Sequence, residues 1–565
     1  MEMNMSRRSF VAGSAAAASM MACGSLAMAQ EVSSAPSESW MDEAPQISDA
    51  DCVEILECDV LVVGCGAAGL PAAVTAAEEG LKVIAVDRME QGYGIRSSAL
   101  AAIDSSLQQE VGVQINKEDI LNDIAHYANG MCDMRLWKLW ADESGEAISW
   151  YIDHCNKSGG AYVENEYNVT QGTRYPTWPT GHATIGSAMP WAGEAVMLEY
   201  FIGLIESHEG CEHRGYTKLE SLILDDGAVI GAYLSTGEEF DSFIRVNAAK
   251  GVVIATGGYI LNAQMMGALQ PTVVAGLAAI STSGQSYGEG IQACMRVGAK
   301  LEDVHSTMVF DRGFCGYDQE IGHPYSEDGQ ARLVGVVPIV GGPALQSQPF
   351  LKVNQYGERF CNESSPYDYV FHAANKFPNK AWYPIWDANY LEDVERFHTI
   401  GCSTQLLREG GDHLMGKEPE SVVEYVEQKV AAGDVIKADT IEELAEGLGL
   451  PADALRATVE RYNELCDAQY DSDFGKEAFR LSKVAEPPFY GQKLGGAALC
   501  TLDGIEVTPE LEALDAEGKV IPGLYVIGND AGNHYHMTYP NFSAGLNAGR
   551  CVTEGRHVAR ALAAR

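Results

Sequence analysis

CDVLVVGCGAAGLPAAVTAAEEGLKVIAVDR, residues 58–88, is the stretch around which the chain is organised. Residues 60–63 are an apolar run of strand length. Gly64-Cys65-Gly66-Ala67-Ala68-Gly69 is a tight glycine turn. Residues 70–80 follow as an alanine-rich helical pattern, and 83–86 as a second apolar strand ending in Asp87. Strand, turn, helix, strand and acid together form a dinucleotide-binding fingerprint, far more specific than a lone glycine motif. Gly64 permits the sharp turn, Gly66 lets the backbone approach a pyrophosphate, and Gly69 lets helix and strand pack closely. The helix N-terminus offers unpaired N–H groups and partial positive charge to phosphates. Asp87 lies about 20 residues past the turn, where a ribose hydroxyl can donate to it. Arg88 is placed at the same site.

The chain has 565 residues, more than one compact domain usually holds. It is 46% hydrophobic and 21% charged, a globular composition. A net charge of -41 argues against nucleic acid and anionic membrane surfaces, which call for basic patches, and suits a basic redox partner. The 14 cysteines include no CxxC or CxxCH, so covalent haem and the common zinc or iron–sulfur spacings are absent and no metal is expected. So many thiols in an exported chain suit an anaerobic habitat or folding before export.

Residues 1–29 read as a twin-arginine export signal. Ser6-Arg7-Arg8-Ser9-Phe10-Val11 precedes a small-residue apolar run, and Ala27-Met28-Ala29 offers a cleavage site. Met21-Ala22-Cys23 weakly resembles a lipoprotein site, so lipidation of Cys23 and membrane association stay open. An exported, periplasmic or extracytoplasmic protein is expected. No other apolar run approaches the ~18 residues of a membrane span, so no integral membrane protein is expected. Residues 30–57 read as a solvated linker.

Residues 117–160 read as helical, and 161–192 as an aromatic loop. Residues 217–258 alternate as strands and end in Gly251-Val252-Val253-Ile254-Ala255-Thr256-Gly257-Gly258, a buried strand with a glycine turn. From about residue 313 the density of turns, Pro and aromatics rises, with helices over 440–447 and 451–468. Thr440 to Glu443 is a capping box. The fold expected is α/β: a Rossmann-type nucleotide domain over 58–312 and 488–565, with an α+β cap domain of residues 313–487 inserted.

Separated motifs agree on a relationship. The fingerprint with Asp87, Ala255-Thr256-Gly257-Gly258, Gly357-Glu358-Arg359-Phe360 with Asn362-Glu363, and Ile521-Pro522-Gly523-Leu524-Tyr525 resemble the fumarate reductase and 3-ketosteroid dehydrogenase superfamily of flavoproteins. The resemblance covers nearly all of the chain past residue 57. It implies non-covalent FAD in a glutathione-reductase-like domain, with a mobile cap over the flavin. It also implies cofactor contacts at Ala255, Thr256, Gly257, Gly258, Gly528, Asn529, Ser543 and Ala544. Ser97 and Ser98 either donate to the cofactor or cap a helix.

The fumarate reductase branch carries an arginine proton donor, a substrate histidine and a second arginine. At the matching positions this chain has Tyr367, Cys500 and Phe542. Arginine grips a carboxylate as a planar fork, which neither Tyr nor Phe can replace, so fumarate is not the expected substrate. The replacements resemble the ketosteroid branch, with Pro366-Tyr367 after Asn-Glu and Tyr539-Pro540 in the C-terminal loop. There the first tyrosine exchanges a proton at the carbon next to the ketone, and the second donates its hydroxyl to the ketone oxygen. A backbone N–H four residues on assists, here that of Ser543. A supporting tyrosine is expected at Tyr167 or Tyr175. The function implied is reduction of the C=C of an apolar enone, steroid-like or polyphenol-like. Electrons would come from a separate carrier, such as a membrane-anchored cytochrome or a quinol-linked protein. Small unsaturated carboxylates and a non-catalytic flavin electron-transfer protein are the alternatives.

Overall fold

The apolar run at residues 60–63 sits in the middle of a parallel sheet, which is why it reads as continuously hydrophobic rather than alternating. In the computed structural model the elements that frame the site are, in chain order, β1 (Cys52–Val63), α1 (Gly69–Glu78), β2 (Val83–Val86), β3 (Glu212–Arg214), β4 (Thr217–Asp225), β5 (Ala228–Thr236) and β6 (Ser242–Ile254). They continue with β7 (Leu277–Ile280), β8 (Thr307–Gly313), β9 (Leu351–Val353), α2 (Tyr367–Ala374), β10 (Tyr383–Trp386) and β11 (Ile436–Ala438). The last are β12 (Phe489–Gly491), β13 (Gly495–Thr501), β14 (Glu512–Leu514), β15 (Val520–Val526) and α3 (Leu546–Ala563). The structure describes Trp40, Met41, Glu43 and residues 45–565 apart from 97–98, 167–171, 283, 334–344, 400, 408–413 and 415. The chain divides into two units after Asp42, and everything below concerns the second. The export signal and Cys23 lie outside the described residues.

The main sheet runs β14-β15-β6-β1-β2-β3, with β5 also paired to β6 and β4 to β5. β1 is parallel to β2, in register Val60↔Val83 through Val63↔Val86, and parallel to β6. β15 lies parallel on the other side of β6, bringing Val526 opposite Ile254. The C-terminal ends of β1, β6 and β15 therefore lie side by side. Val60–Val63 and Val252–Ile254 are essentially inaccessible, each side chain contributing about 1.5–3 kcal/mol by burial. α1 packs on this sheet, and α3 packs against α1.

β8, β13 and β7 make a second sheet. β9, β10, β12 and β11 form a third, beside helices Ile441–Leu448 and Ala452–Ala468, and these make the α+β cap. The capping box forms: the Thr440 hydroxyl accepts from the Glu443 N–H at 3.1 Å, and the Glu443 carboxylate accepts from the Thr440 N–H at 3.2 Å.

Three expectations change. Residues 52–57, expected in the linker, extend β1 and pair with β6 from Cys52↔Phe243 onward. Val53 and Ile55 stay exposed there, so this end of the strand carries no core pattern. The cap sheet includes Phe489–Gly491, so a boundary at 487 cuts off its last strand. Residues 161–192 are not all loop: Ala161–Glu166 and Gly181–Gly186 pair antiparallel. Among the described residues, no helix is long and apolar enough to cross a membrane.

Candidate active site

The fingerprint glycines act through contacts the structure makes explicit. Gly64 has φ +103°, and a Cβ there would sit 2.2 Å from the Ala255 carbonyl oxygen. A Cβ on Gly69 would meet the Gly64 carbonyl at 1.8 Å. These two keep turn, helix and β6 in contact. Gly66 is different: a Cβ there meets nothing within 4 Å, because it would project into an open cavity. That cradle, at the N-terminus of a helix and beside the ends of β1 and β6, fits the pyrophosphate of a dinucleotide.

The cavity has a volume of about 1170 Å³ including its mouth. Its lining includes Gly64, Gly66, Ala67, Ala68, Asp87 and Arg88 from the fingerprint, Ala255, Thr256 and Gly257 after β6, and Cys500, Gly528, Asn529 and Asn547 from the C-terminal part of the chain. Gly528 approaches the fingerprint directly: a Cβ there would sit 2.9 Å from that of Ala68. Asp87 is held by two backbone donors, Cys65 N at 2.7 Å and Met89 N at 2.8 Å. Burial pushes its carboxyl pKa up. Each oxygen still has a lone pair for a ribose hydroxyl.

Several expected cofactor contacts are already occupied. Arg88 pairs with Glu289, and its guanidinium lies 4.5 Å from the centre of the Tyr287 ring, so its charge serves the wall of the cavity. The N–H groups of Thr256, Gly257 (3.2 Å) and Gly258 (2.8 Å) all donate to the Asp530 carboxylate. Gly258 is directed away from the cavity: its Cβ position faces the Thr501 hydroxyl at 2.1 Å. Ala544 does not line the cavity either, and its carbonyl accepts from the Thr180 hydroxyl at 3.4 Å. Ser97 and Ser98 lie outside the described residues.

Asp530 went unnoticed in the sequence, as did the buried ion triad behind Gly528 and Asn529. Glu554 accepts from Arg550 Nη1 at 2.9 Å and from the Gly528 N–H at 2.8 Å, and lies 2.8 Å from His534 Nε2. Burial raises the Glu554 carboxyl, but Arg550 and His534 outweigh it and hold it at about 2. The triad fixes the turn at Gly528. Among the described residues, no cluster of His, Cys, Asp and Glu could hold a metal.

The two tyrosines come together in one cluster: Tyr539 is buried with Phe310 and Phe542, and Tyr367 and Cys500 pack against it half-buried. Tyr539 is 4% exposed, and its hydroxyl oxygen accepts the Asn547 N–H at 3.0 Å. Its own N–H donates to Asp368 Oδ2 at 3.0 Å. Asp368 follows Tyr367 at the start of α2, so the cap helix and the C-terminal loop are tied beside both phenols. Tyr367 begins α2 because Pro366, with φ -49° and ψ 148°, occupies the N-cap and cannot continue a helix backwards. The Tyr367 ring meets Phe310 edge-on at 5.4 Å, with the Arg312 guanidinium 5.7 Å from its centre. Burial pushes the Tyr367 phenol pKa up, with Cys402 adding to the shift, while Arg312 and the Ser403 hydroxyl pull it back. The Tyr539 phenol is likewise raised by burial and lowered by the Asn547 N–H.

Tyr367 also lines a second cavity of about 600 Å³, walled by Tyr127, Tyr175, Glu363, Arg480, Asn541 and Phe542 among others. Of the two candidate supporting tyrosines, Tyr167 lies outside the described residues. Tyr175 is in this wall, its hydroxyl accepting from the Ser365 hydroxyl at 3.0 Å. Tyr127 was not anticipated. It stacks on Tyr369 at 5.5 Å and meets Phe542 edge-on at 4.7 Å.

Ser543 does not fill its expected role. Its N–H donates to the Pro540 carbonyl at 3.2 Å and its hydroxyl pairs with Thr180 Oγ1 at 2.8 Å, within a side chain that is wholly buried. The turn from Tyr539 through Ser543 closes on itself and consumes the donor.

A dinucleotide cradle whose wall residues Cys500 and Asn547 touch a cluster holding two phenols fits a flavin-dependent oxidoreductase. The chain belongs to the FAD binding domain family, which it matches over residues 59–546. It is 28% identical over 520 residues to the vinyl phenol reductase of Lactiplantibacillus plantarum, covering 88% of this chain and 97% of that one. In fold it is similar to 3-ketosteroid-delta4-(5alpha)-dehydrogenase from Rhodococcus jostii RHA1, with a TM-score of 0.64 at 20% identity over 92% of this chain and 100% of that one. It is also similar to the open conformation of a flavocytochrome c3 fumarate reductase, with a TM-score of 0.62 at 21% identity over 94% and 82% of the two chains. The cofactor is FAD, and the enzyme acts on C=C or CH–CH bonds, as its relatives do.

Proposed function

We propose that this enzyme reduces a C=C bond conjugated to a carbonyl, in a steroid-like or polyphenol-like substrate, with Tyr367 as its acid and Tyr539 as the donor to its carbonyl oxygen. The observation that carries the proposal is the placement of the two phenols. The Tyr539 hydroxyl is bonded to Asn547, a residue of the FAD cavity wall, and Tyr367 lines a second cavity under the cap. Bound FAD supplies the hydride for such chemistry. Gly66 leaves room for its pyrophosphate at the helix N-terminus, with Gly64 and Gly69 shaping the turn. Tyr539 donates a hydrogen bond to the substrate's carbonyl oxygen and keeps its proton, holding the charge that gathers on that oxygen. The Asn547 N–H, bonded to the phenol oxygen, makes that hydroxyl a better donor. Tyr367 supplies the single proton the reduction needs, to the carbon next to the carbonyl. Arg312, close to the Tyr367 ring, favours the phenolate left behind. Tyr127, Tyr175 and Phe542 in the wall of the second cavity keep water from that transfer.

The test is stopped-flow reoxidation of chemically reduced holoenzyme by benzylideneacetone, with product analysis. The proposal expects reoxidation and the saturated ketone in equal amounts. A flavin that reoxidises only with electron-transfer proteins would make the chain an electron carrier instead.

The same reading places the enzyme outside the cytoplasm, through the twin-arginine signal at Arg7-Arg8, and supplies its electrons from a separate carrier. With both arginines changed to Lys, precursor should accumulate in the cytoplasm. Normal export of that variant would overturn the placement.

A further inference from the structure

The three positions at which a dicarboxylate reductase carries cationic or histidine groups are Tyr367, Cys500 and Phe542 here, yet the cap delivers a cation to the substrate cavity by another route. Arg480 ends a short 3-10 turn, Ala478–Arg480, and lines the cavity that Tyr367 faces. It is 7% exposed, and burial pushes its guanidinium down to about 10. Its Nε donates to the Phe397 carbonyl at 3.2 Å, which fixes the plane of the fork. Among the described residues no carboxylate oxygen lies within ion-pairing distance of it. Glu477, three residues earlier, turns to the Arg174 N–H and the Thr173 hydroxyl instead. Glu363, which does line the cavity, is held by Arg359 at 2.7 Å and by Lys476 at 3.5 Å. The Tyr127 hydroxyl, in the same wall, is buried with no partner among the described residues.

A buried guanidinium whose only acidic neighbour among the described residues, Glu477, acts on it from beyond ion-pairing distance is costly to maintain, and its two terminal nitrogens are spaced to bind a carboxylate with two parallel hydrogen bonds. We infer that Arg480 is the substrate's anchor, and that the substrate carries a carboxylate remote from the C=C that is reduced. The inference rests on the enone reading above and narrows it. Tyr367 and Tyr539 handle the carbonyl end, and Arg480 grips an acidic group at the other. Arg480 is thus a specificity determinant that touches the substrate without exchanging a proton with it.

Binding to oxidised holoenzyme, read from the flavin absorbance, separates this inference from the question of turnover. The probes are benzylideneacetone and para-carboxybenzylideneacetone, which differ only by a remote carboxylate. Charge-assisted bonds of this kind are worth about 10–100-fold in affinity, so the acid should bind wild type tighter than the neutral ketone by that factor. Arg480→Gln should raise the acid's Kd at least ten-fold more than the ketone's. Arg480→Lys, keeping the charge but losing the fork, should fall between. FAD content of each variant reports that the fold is intact. Equal affinities of wild type for the two probes overturn the inference even if no variant folds. So does an Arg480→Gln variant that weakens both probes alike. Preferential binding of the acid with no reduction of either probe supports the anchor and contradicts the enone chemistry.

Discussion

The hydroxyl oxygen of Tyr539 accepts the backbone N–H of Asn547 at 3.0 Å, which leaves the phenol's own proton uncommitted by that bond, beside a residue of the cavity wall. A hydroxyl that accepts from the backbone on one side is oriented to donate on the other. Tyr539→Phe removes that proton while keeping the ring among Tyr535, Phe542 and Cys500. Turnover should fall by about 10²–10³-fold, the usual cost of one oxyanion donor. Steady-state rates with a reduced dye as electron source measure this. Turnover near wild type would reduce Tyr539 to a packing residue.

Gly66 is the residue whose missing side chain keeps the pyrophosphate cradle open. Gly66→Val should give a folded protein without FAD, because the added atoms occupy the phosphate's place and touch no protein. Absorbance near the flavin bands and a melting curve read the two halves of the statement. Normal FAD content would contradict the placement of the cofactor.

Asp368 links the phenols through the Tyr539 N–H, and burial pushes its carboxyl up to about 7. An unfolded Asp titrates at about 3.9, so the folded protein binds this proton more tightly. The stability it confers is fully present below about pH 4 and is lost as pH rises through about 7. Asp368→Asn keeps the acceptor oxygen and removes the ionisation. Its melting temperature relative to wild type should therefore rise between about pH 4 and pH 7, the interval set by those two values. A difference that does not change with pH would show that Asp368 titrates normally.

Local geometry made the nucleotide half legible in the sequence. Gly64, Gly66 and Gly69 act on one another and on the adjacent strand within a few residues, so spacing alone conveys their roles. Tyr367 and Tyr539 were found through resemblance, because no local pattern says that positions 172 residues apart share a cluster. Asp530 escaped notice since its partners, Thr256 to Gly258, lie more than 270 residues away. Thr256 to Gly258 were expected as cofactor contacts, and their N–H groups turn out to be held by that carboxylate. Ser543 misled for a related reason: its N–H survives the substitution, but the turn from Tyr539 uses it. Arg480 and Tyr127 reach the substrate cavity only through the packing of the cap and of the helix Lys117–Tyr127. Residues 52–57 looked like linker because that end of β1 lies beyond the core and exposes Val53 and Ile55 as readily as Glu54 and Glu57.

The measurement closest to the central claim is the rate at which benzylideneacetone reoxidises reduced Tyr367→Phe holoenzyme. The substitution keeps the ring that meets Phe310 and Arg312 and removes only the proton. The account predicts a rate about 10²–10⁴-fold below wild type, the usual worth of general acid catalysis, with FAD content and melting temperature unchanged. A rate within a few-fold of wild type would contradict Tyr367 as the proton donor, and the two-tyrosine mechanism with it.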